Sequence, residues 1–177
     1  MASPAVSGGD PLYIGFYAGK IGNEESRRYV EPSDRITMLC VFLTDLNMGT
    51  GTAKLDPDRT IYITSEWVAI SRRYYLCVGL DLLSGLAEAD LLKHDLGDIP
   101  HPKTPEPFCD VSCDKKITAK WLFEAVNNFV DEKTVLIPDI GDALYGSMGI
   151  TTHGPDYFLS SGYYASMEFA VPAAIGA

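Results

Sequence analysis

The chain has 177 residues, 46% of them hydrophobic and 21% charged, which suits one or two small folded domains and excludes disorder throughout. The formal net charge of -10 disfavours nucleic acid, whose phosphates call for clustered Lys and Arg, and equally disfavours anionic lipid. The unremarkable reading of that acidity is solubility. No run of eighteen apolar residues occurs. The opening Met1-Ala-Ser-Pro-Ala-Val-Ser-Gly-Gly9 has neither the basic region nor the apolar core of a secretion signal, so a cytoplasmic location is expected.

Residues 1–10 are small and polar, a loose lead-in, and Pro11 to Gly19 sets aromatics between glycines as a short extended segment or loop. Asn23 is placed to cap a helix of about two turns, with Glu24 and Glu25 complementing its dipole and Glu31-Pro32 ending it. Ile36 to Leu43 is nearly continuously apolar, the pattern of a strand covered on both faces. It runs into a polar loop, Thr44 to Gly49. A turn at Asp56-Pro57-Asp58 precedes a second strand, Thr60 to Thr64. Trp67 to Leu76 reads as a third strand or as irregular chain, and Asp81 to Leu92 as a moderately amphipathic helix with Leu at 82, 83, 86, 91 and 92.

Four prolines between Ile99 and Phe108 make a stiff connector, because each fixes φ and removes a backbone donor. A proline-rich recognition segment is the alternative. Beyond it Thr118 can cap a helix whose apolar stripe is Trp121, Leu122, Ala125, Val126 and Phe129. Thr134-Val-Leu-Ile-Pro-Asp-Ile-Gly-Asp142 then reads as a buried parallel strand ending in an acidic turn, the place where open α/β sheets bind ligands. The last constellation is Tyr163-Tyr-Ala-Ser-Met-Glu-Phe169, followed by Ala170 to Ala177.

The four cysteines are Cys40, Cys77, Cys109 and Cys113. The first two sit in apolar runs as small core residues. Cys109 and Cys113, with His101 upstream, lack the ligand spacing of a zinc site. His94, His101 and His153 are scattered, and no Ser-His-Asp set or phosphate loop can be assembled. Taken alone, Asp139 and Asp142 could simply cap the next helix, and Tyr163 and Tyr164 could be packing residues.

Asp139-Ile-Gly-Asp-Ala-Leu-Tyr145, followed at a fitting distance by Tyr163-Tyr-Ala-Ser-Met167 and Phe169-Ala-Val-Pro-Ala-Ala-Ile-Gly-Ala177, resembles the thiamine diphosphate-dependent 2-keto acid decarboxylases. The indolepyruvate and phenylpyruvate branch is the most similar in these words. Tyr29-Val-Glu-Pro-Ser-Asp34, Leu43-Thr-Asp-Leu-Asn47 and Ala53 to Ile61 resemble the same family's middle domain. The resemblance implies an α/β chain: a Rossmann-like parallel-sheet fragment over residues 1–95, a linker over 96–114, and the first half of the thiamine diphosphate-binding fold over 115–177.

It also implies cofactor contacts. Gly141 and Asp142 would meet the aminopyrimidine, Ala165 would offer its carbonyl to the 4′-amino group with Ser166 beside it, and Met167 would wedge the cofactor into its bent form. At position 168 the family usually has Gly and this chain has Glu168, a residue that would strain any backbone needing positive φ. The family's Gly-Asp-Gly and downstream Asn, which hold Mg²⁺, have no counterpart between Met1 and Ala177. Neither has the domain that supplies the activating glutamate. The expectation is therefore a part-length decarboxylase, a carboxy-lyase inactive alone and completed by companion chains or as a homo-oligomer. An assembly or binding module derived from the same fold is the alternative, since exposed sheet edges invite pairing.

Overall fold

The computed structural model describes residues 10–76, 79–90, 97–101, 116–154 and 156–177. It divides into two compact units, Tyr17–Pro100 and Met1–Phe16 with His101–Ala177. The first unit is a four-stranded mixed sheet with helices, and the α/β class expected from sequence holds.

Helix α1 spans Glu24–Val30, and Asn23 caps it as its residue type demands, its side chain accepting from the amides of Glu25 and Ser26 at 2.8 and 3.4 Å. Strand β1 (Ile36–Leu39) pairs in parallel with β2 (Thr60–Ile63), Ile36 opposite Thr60 and Leu39 opposite Ile63. Between them Asp56 accepts the Asp58 amide at 2.9 Å and starts a 3-10 turn, Pro57–Arg59, where the Asp-Pro-Asp sequence places a turn. Strand β3 (Trp67–Ile70) folds back antiparallel on β2 through Thr64, whose hydroxyl accepts the Glu66 and Trp67 amides and donates to the Trp67 carbonyl. Strand β4 (Arg73–Leu76) returns antiparallel to β3 through a tight turn with Ser71 at positive φ. Within this sheet, among the described residues, β1–β2 is the parallel pair and the other two are antiparallel. The stretch from Trp67 to Leu76 is thus two strands of a hairpin, because Ser71-Arg72 reverses the chain in its middle.

Ile63, Val68 and Ala18 are fully buried and centre this unit. Tyr62, Trp67 and Tyr74 form a row of rings, with centroids 4.9 Å apart edge-to-face for the first pair and 5.3 Å apart, tilted, for the second. Helix α2 (Gly79–Glu88) turns Leu82, Leu83 and Leu86 to its less exposed side, as the leucine spacing requires.

Two expectations fail in this unit. Strand β1 stops at Leu39, and Thr37 and Leu39 are exposed, so the apolar run is neither eight residues of strand nor covered on both faces. Cys40 takes φ +49 and ends the pairing; it is exposed, and so is not a core residue. Cys77, Cys109, Cys113, His94, Leu91, Leu92 and most of the proline-rich connector lie outside the described residues.

In the second unit α3 spans Ala119–Phe129, with the Thr118 hydroxyl accepting the Trp121 amide at 3.2 Å. Helix α4 is Asp142–Ser147 and α5 is Ala170–Gly176. Helices α3 and α4 meet where Gly146 lies against the Phe123 ring; a Cβ on Gly146 would fall 1.9 Å from it. One helical turn along, the Asn127 side chain accepts the Thr151 amide at 2.8 Å. Phe123 and Asn127 thus make contacts from α3, and of the expected stripe Trp121, Ala125 and Val126 are half-buried while Leu122 and Phe129 are exposed, Phe129 by 85%. Among the described residues no helix is long and apolar enough to cross a membrane.

Candidate functional site

The segment leading to the first motif opens with a turn at Asp131. Its carboxylate accepts the Thr134 hydroxyl at 2.6 Å and the Lys133 amide at 3.0 Å. These bonds favour the ionised form, the Thr134 hydroxyl foremost, and hold the Asp131 carboxyl below its ordinary range. Leu136 then makes a single parallel bridge with Phe158: its amide donates to the Tyr157 carbonyl at 2.8 Å and its carbonyl accepts the Leu159 amide at 2.9 Å. This corrects the expected buried strand. The parallel sense is there, but Val135 is exposed and Pro138, which has no donor, follows within two residues of the bridge.

After Pro138 the chain turns sharply at Gly141, whose φ of +78° and ψ of -142° suit glycine alone. Gly141 has open space where a Cβ would stand. Asp142 is the first residue of α4 and is exposed, and Leu144, 2% exposed, roots the helix in the unit's interior beside buried Ser147. Neither aspartate caps the helix: the cap position is Gly141 and receives no side-chain bond. Asp139 is engaged elsewhere. One of its carboxylate oxygens accepts the amide of Ile140 at 2.9 Å, and the other accepts the amide of Glu168 at 2.8 Å.

That second bond joins the two sequence motifs. From Ser161 the chain coils through a tight turn in which the Ala165 amide donates to the Ser161 carbonyl at 2.9 Å. The Ser161 hydroxyl donates to the Ser166 carbonyl at 3.1 Å. Ala165 and Glu168 both have positive φ, +57° and +67°. The strain expected of a non-glycine residue at 168 is present in this backbone. Met167 is 78% exposed; Tyr163 and Tyr164 are exposed as well, Tyr164 by 84%, so neither ring is buried within this unit. Helix α5 follows with Pro172 in its first turn, where the missing amide costs nothing, and with Val171 and Ile175 exposed.

The structure thus brings Asp139, flanking Gly141 and Asp142, to Glu168, flanking Ala165, Ser166 and Met167. Asp139 and Glu168 are the residues that sequence reasoning left without a shared role, because nothing in the sequence pairs positions 29 apart.

No family model matches the chain. Curated relatives do. The chain is 31% identical over 172 residues to indole-3-pyruvate decarboxylase of Azospirillum brasilense, an alignment covering 93% of this chain and 30% of that protein. It is 25% identical to the alpha-keto-acid decarboxylase of Mycobacterium leprae and 23% identical to pyruvate decarboxylase isozyme 3 of Saccharomyces cerevisiae, each over 94% of this chain and 30% of the relative. The chain is a part-length relative of the 2-keto acid decarboxylases. It spans about a third of the length of the curated decarboxylases it matches.

Against thiamine diphosphate, the cofactor that the decarboxylase resemblance implies, the second unit fits on one side. Open space over Gly141 leaves room for a flat ring to approach the backbone, and Met167 offers a large, unbranched, exposed side chain. For a metal ion the fit fails: among the described residues no three His, Cys, Asp or Glu side chains stand close enough together to hold one.

Proposed function

We propose that this chain supplies one wall of a thiamine diphosphate site in a non-oxidative 2-keto acid decarboxylase of the indolepyruvate or phenylpyruvate type. The observation that carries the proposal is the bond from the Glu168 amide to the Asp139 carboxylate, which joins the two motifs the resemblance assigns to the cofactor. When bound, the cofactor supplies the carbanion that adds to a 2-keto acid and accepts the electrons left by departing CO₂. Gly141 and Asp142 line the aminopyrimidine side. Ala165 would present its carbonyl to the ring's amino group, with Ser166, whose own carbonyl accepts the Ser161 hydroxyl, beside it, and Met167 would support the cofactor with its large apolar side chain.

The reading assigns residues 1–95 to part of a middle domain, 96–114 to a linker and 115–177 to the first half of the cofactor-binding domain. Magnesium, the activating glutamate and most of the substrate pocket come from protein segments beyond this third, in companion chains or in an oligomer, with the cytoplasm as the setting. The 177 residues alone do not decarboxylate.

A second reading, a non-catalytic assembly module, is favoured by a specific observation: every residue of β4 is exposed, as are the rings of Tyr74 and Tyr75 and the side chain of Leu76.

Grafting separates the two. The matched segment of the Azospirillum brasilense indole-3-pyruvate decarboxylase is replaced by this chain, and CO₂ release from indolepyruvate is measured with thiamine diphosphate and Mg²⁺. The decarboxylase reading predicts activity that falls roughly tenfold or more on Met167→Ala, the loss expected when bound geometry is relaxed. A graft that folds and assembles but stays inactive, also with Glu168→Gly, favours the assembly module.

A further inference from the structure

We propose that Asp139 is a positioning residue: its carboxylate latches the Ala165–Glu168 turn into its left-handed shape, and Glu168 makes that turn dependent on the latch. Residues 165 and 168 both take positive φ without being glycine, a conformation that an L side chain disfavours through contact between Cβ and backbone oxygen. Such a backbone persists only where its surroundings over-determine it. Two hydrogen bonds hold the turn from inside, the Ala165 amide to the Ser161 carbonyl and the Ser161 hydroxyl to the Ser166 carbonyl. The bond at Glu168 comes from outside it. Asp139 is half-buried, its other oxygen is fixed by the Ile140 amide at 2.9 Å, and so it presents a preset acceptor to the Glu168 amide at 2.8 Å. A carboxylate accepting from a backbone amide is among the stronger hydrogen bonds a protein makes.

Glycine at 168 would adopt φ +67° freely and would need no such acceptor. With Glu168, release of the Asp139 bond lets the residue relax to negative φ and swings the segment that carries Ala165, Ser166 and Met167. If the cofactor site proposed above is right, on which this consequence rests, Asp139 sets the position of the carbonyl and the wedge without touching the cofactor.

Amide hydrogen exchange on the full chain tests this. Asp139→Ala should speed exchange at Glu168 roughly tenfold to hundredfold, the loss of one charge-assisted bond, and should also speed Ala165 while α3 keeps its protection. Adding Glu168→Gly to Asp139→Ala should restore slow exchange at Ala165. A general loss of packing would not be reversed by a change at 168. Unchanged exchange at both Ala165 and Glu168 in Asp139→Ala, or no recovery in the double variant, overturns the latch. Should Asp139→Ala fail to fold, rescue of folding by Glu168→Gly supports the latch and failure of rescue contradicts it. The graft assay above reads the cofactor assignment alone: a graft that folds and assembles but stays inactive counts against that reading, while the exchange rates still decide the latch.

Discussion

Tyr17 donates its hydroxyl to the Glu31 carboxylate at 3.2 Å, and the Lys54 amide donates to the same oxygen. Burial first, and then the Glu31 charge, push the tyrosine from its ordinary 10.0 up to about 12. A folded-state value above the unfolded one means that the neutral tyrosine stabilises the fold. That stabilisation is fully present below pH 10.0 and is lost as pH rises toward about 12. Denaturation followed between these values should show the loss, and Tyr17→Phe should flatten it; an unchanged slope would remove Tyr17 from the account. Position 168 makes the other residue-scale prediction. Glu168→Gly exchanges left-handed strain for glycine's greater chain entropy, for a net gain of about 1 kcal/mol. That gain corresponds to a rise in Tm of roughly 2–4 °C. A fall in Tm would show that the Glu168 side chain makes a contact that outweighs the strain. Here the sequence spoke clearly only by comparison. The departure at 168 marked a place where positive φ mattered, but the partner that tolerates it, Asp139, is too far along the chain to be inferred from spacing.

At the scale of elements, local signals carried furthest. Asn23, Asp56 and Thr118 each stand where their side chains meet the first amides of the helix or turn that follows. Asn23→Ala should therefore cost about 1 kcal/mol in urea denaturation, the usual worth of a cap. The α3–α4 contact supplies a stricter test. Gly146→Ala would gain up to about 1 kcal/mol of helix propensity, but its Cβ would stand 1.9 Å from the Phe123 ring. Overpacking of this kind costs about 1–3 kcal/mol, so the clash outweighs the gain and the variant should be less stable, with Phe123→Leu relieving part of the loss. What sequence patterns could not show is which apolar residues are covered. Leu39, Phe42 and Leu43 of the first apolar run and Leu122 and Phe129 of the helical stripe are exposed, and periodicity cannot distinguish a face packed within one chain from a face left exposed in it. The hairpin at Ser71-Arg72 was hidden for a different reason: neither residue is a strong turn former, and Ser71 reaches positive φ through the pairing of the strands on either side.

For the whole molecule, the α/β class and the decarboxylase kinship were both legible, because the motif words lie at fixed distances along a chain aligned over 93% of its length with a curated relative. The mixed sheet was not, since strand direction depends on turns rather than on composition. The account's central claim is that these residues form one side of a cofactor site whose metal-diphosphate side lies in other segments. Calorimetric titration of the 177-residue chain with thiamine diphosphate, with and without Mg²⁺, tests that claim most directly. The account predicts that Mg²⁺ leaves binding unchanged, since no group of ligands among the described residues can hold the ion. Tight binding that appears only with Mg²⁺ would contradict it.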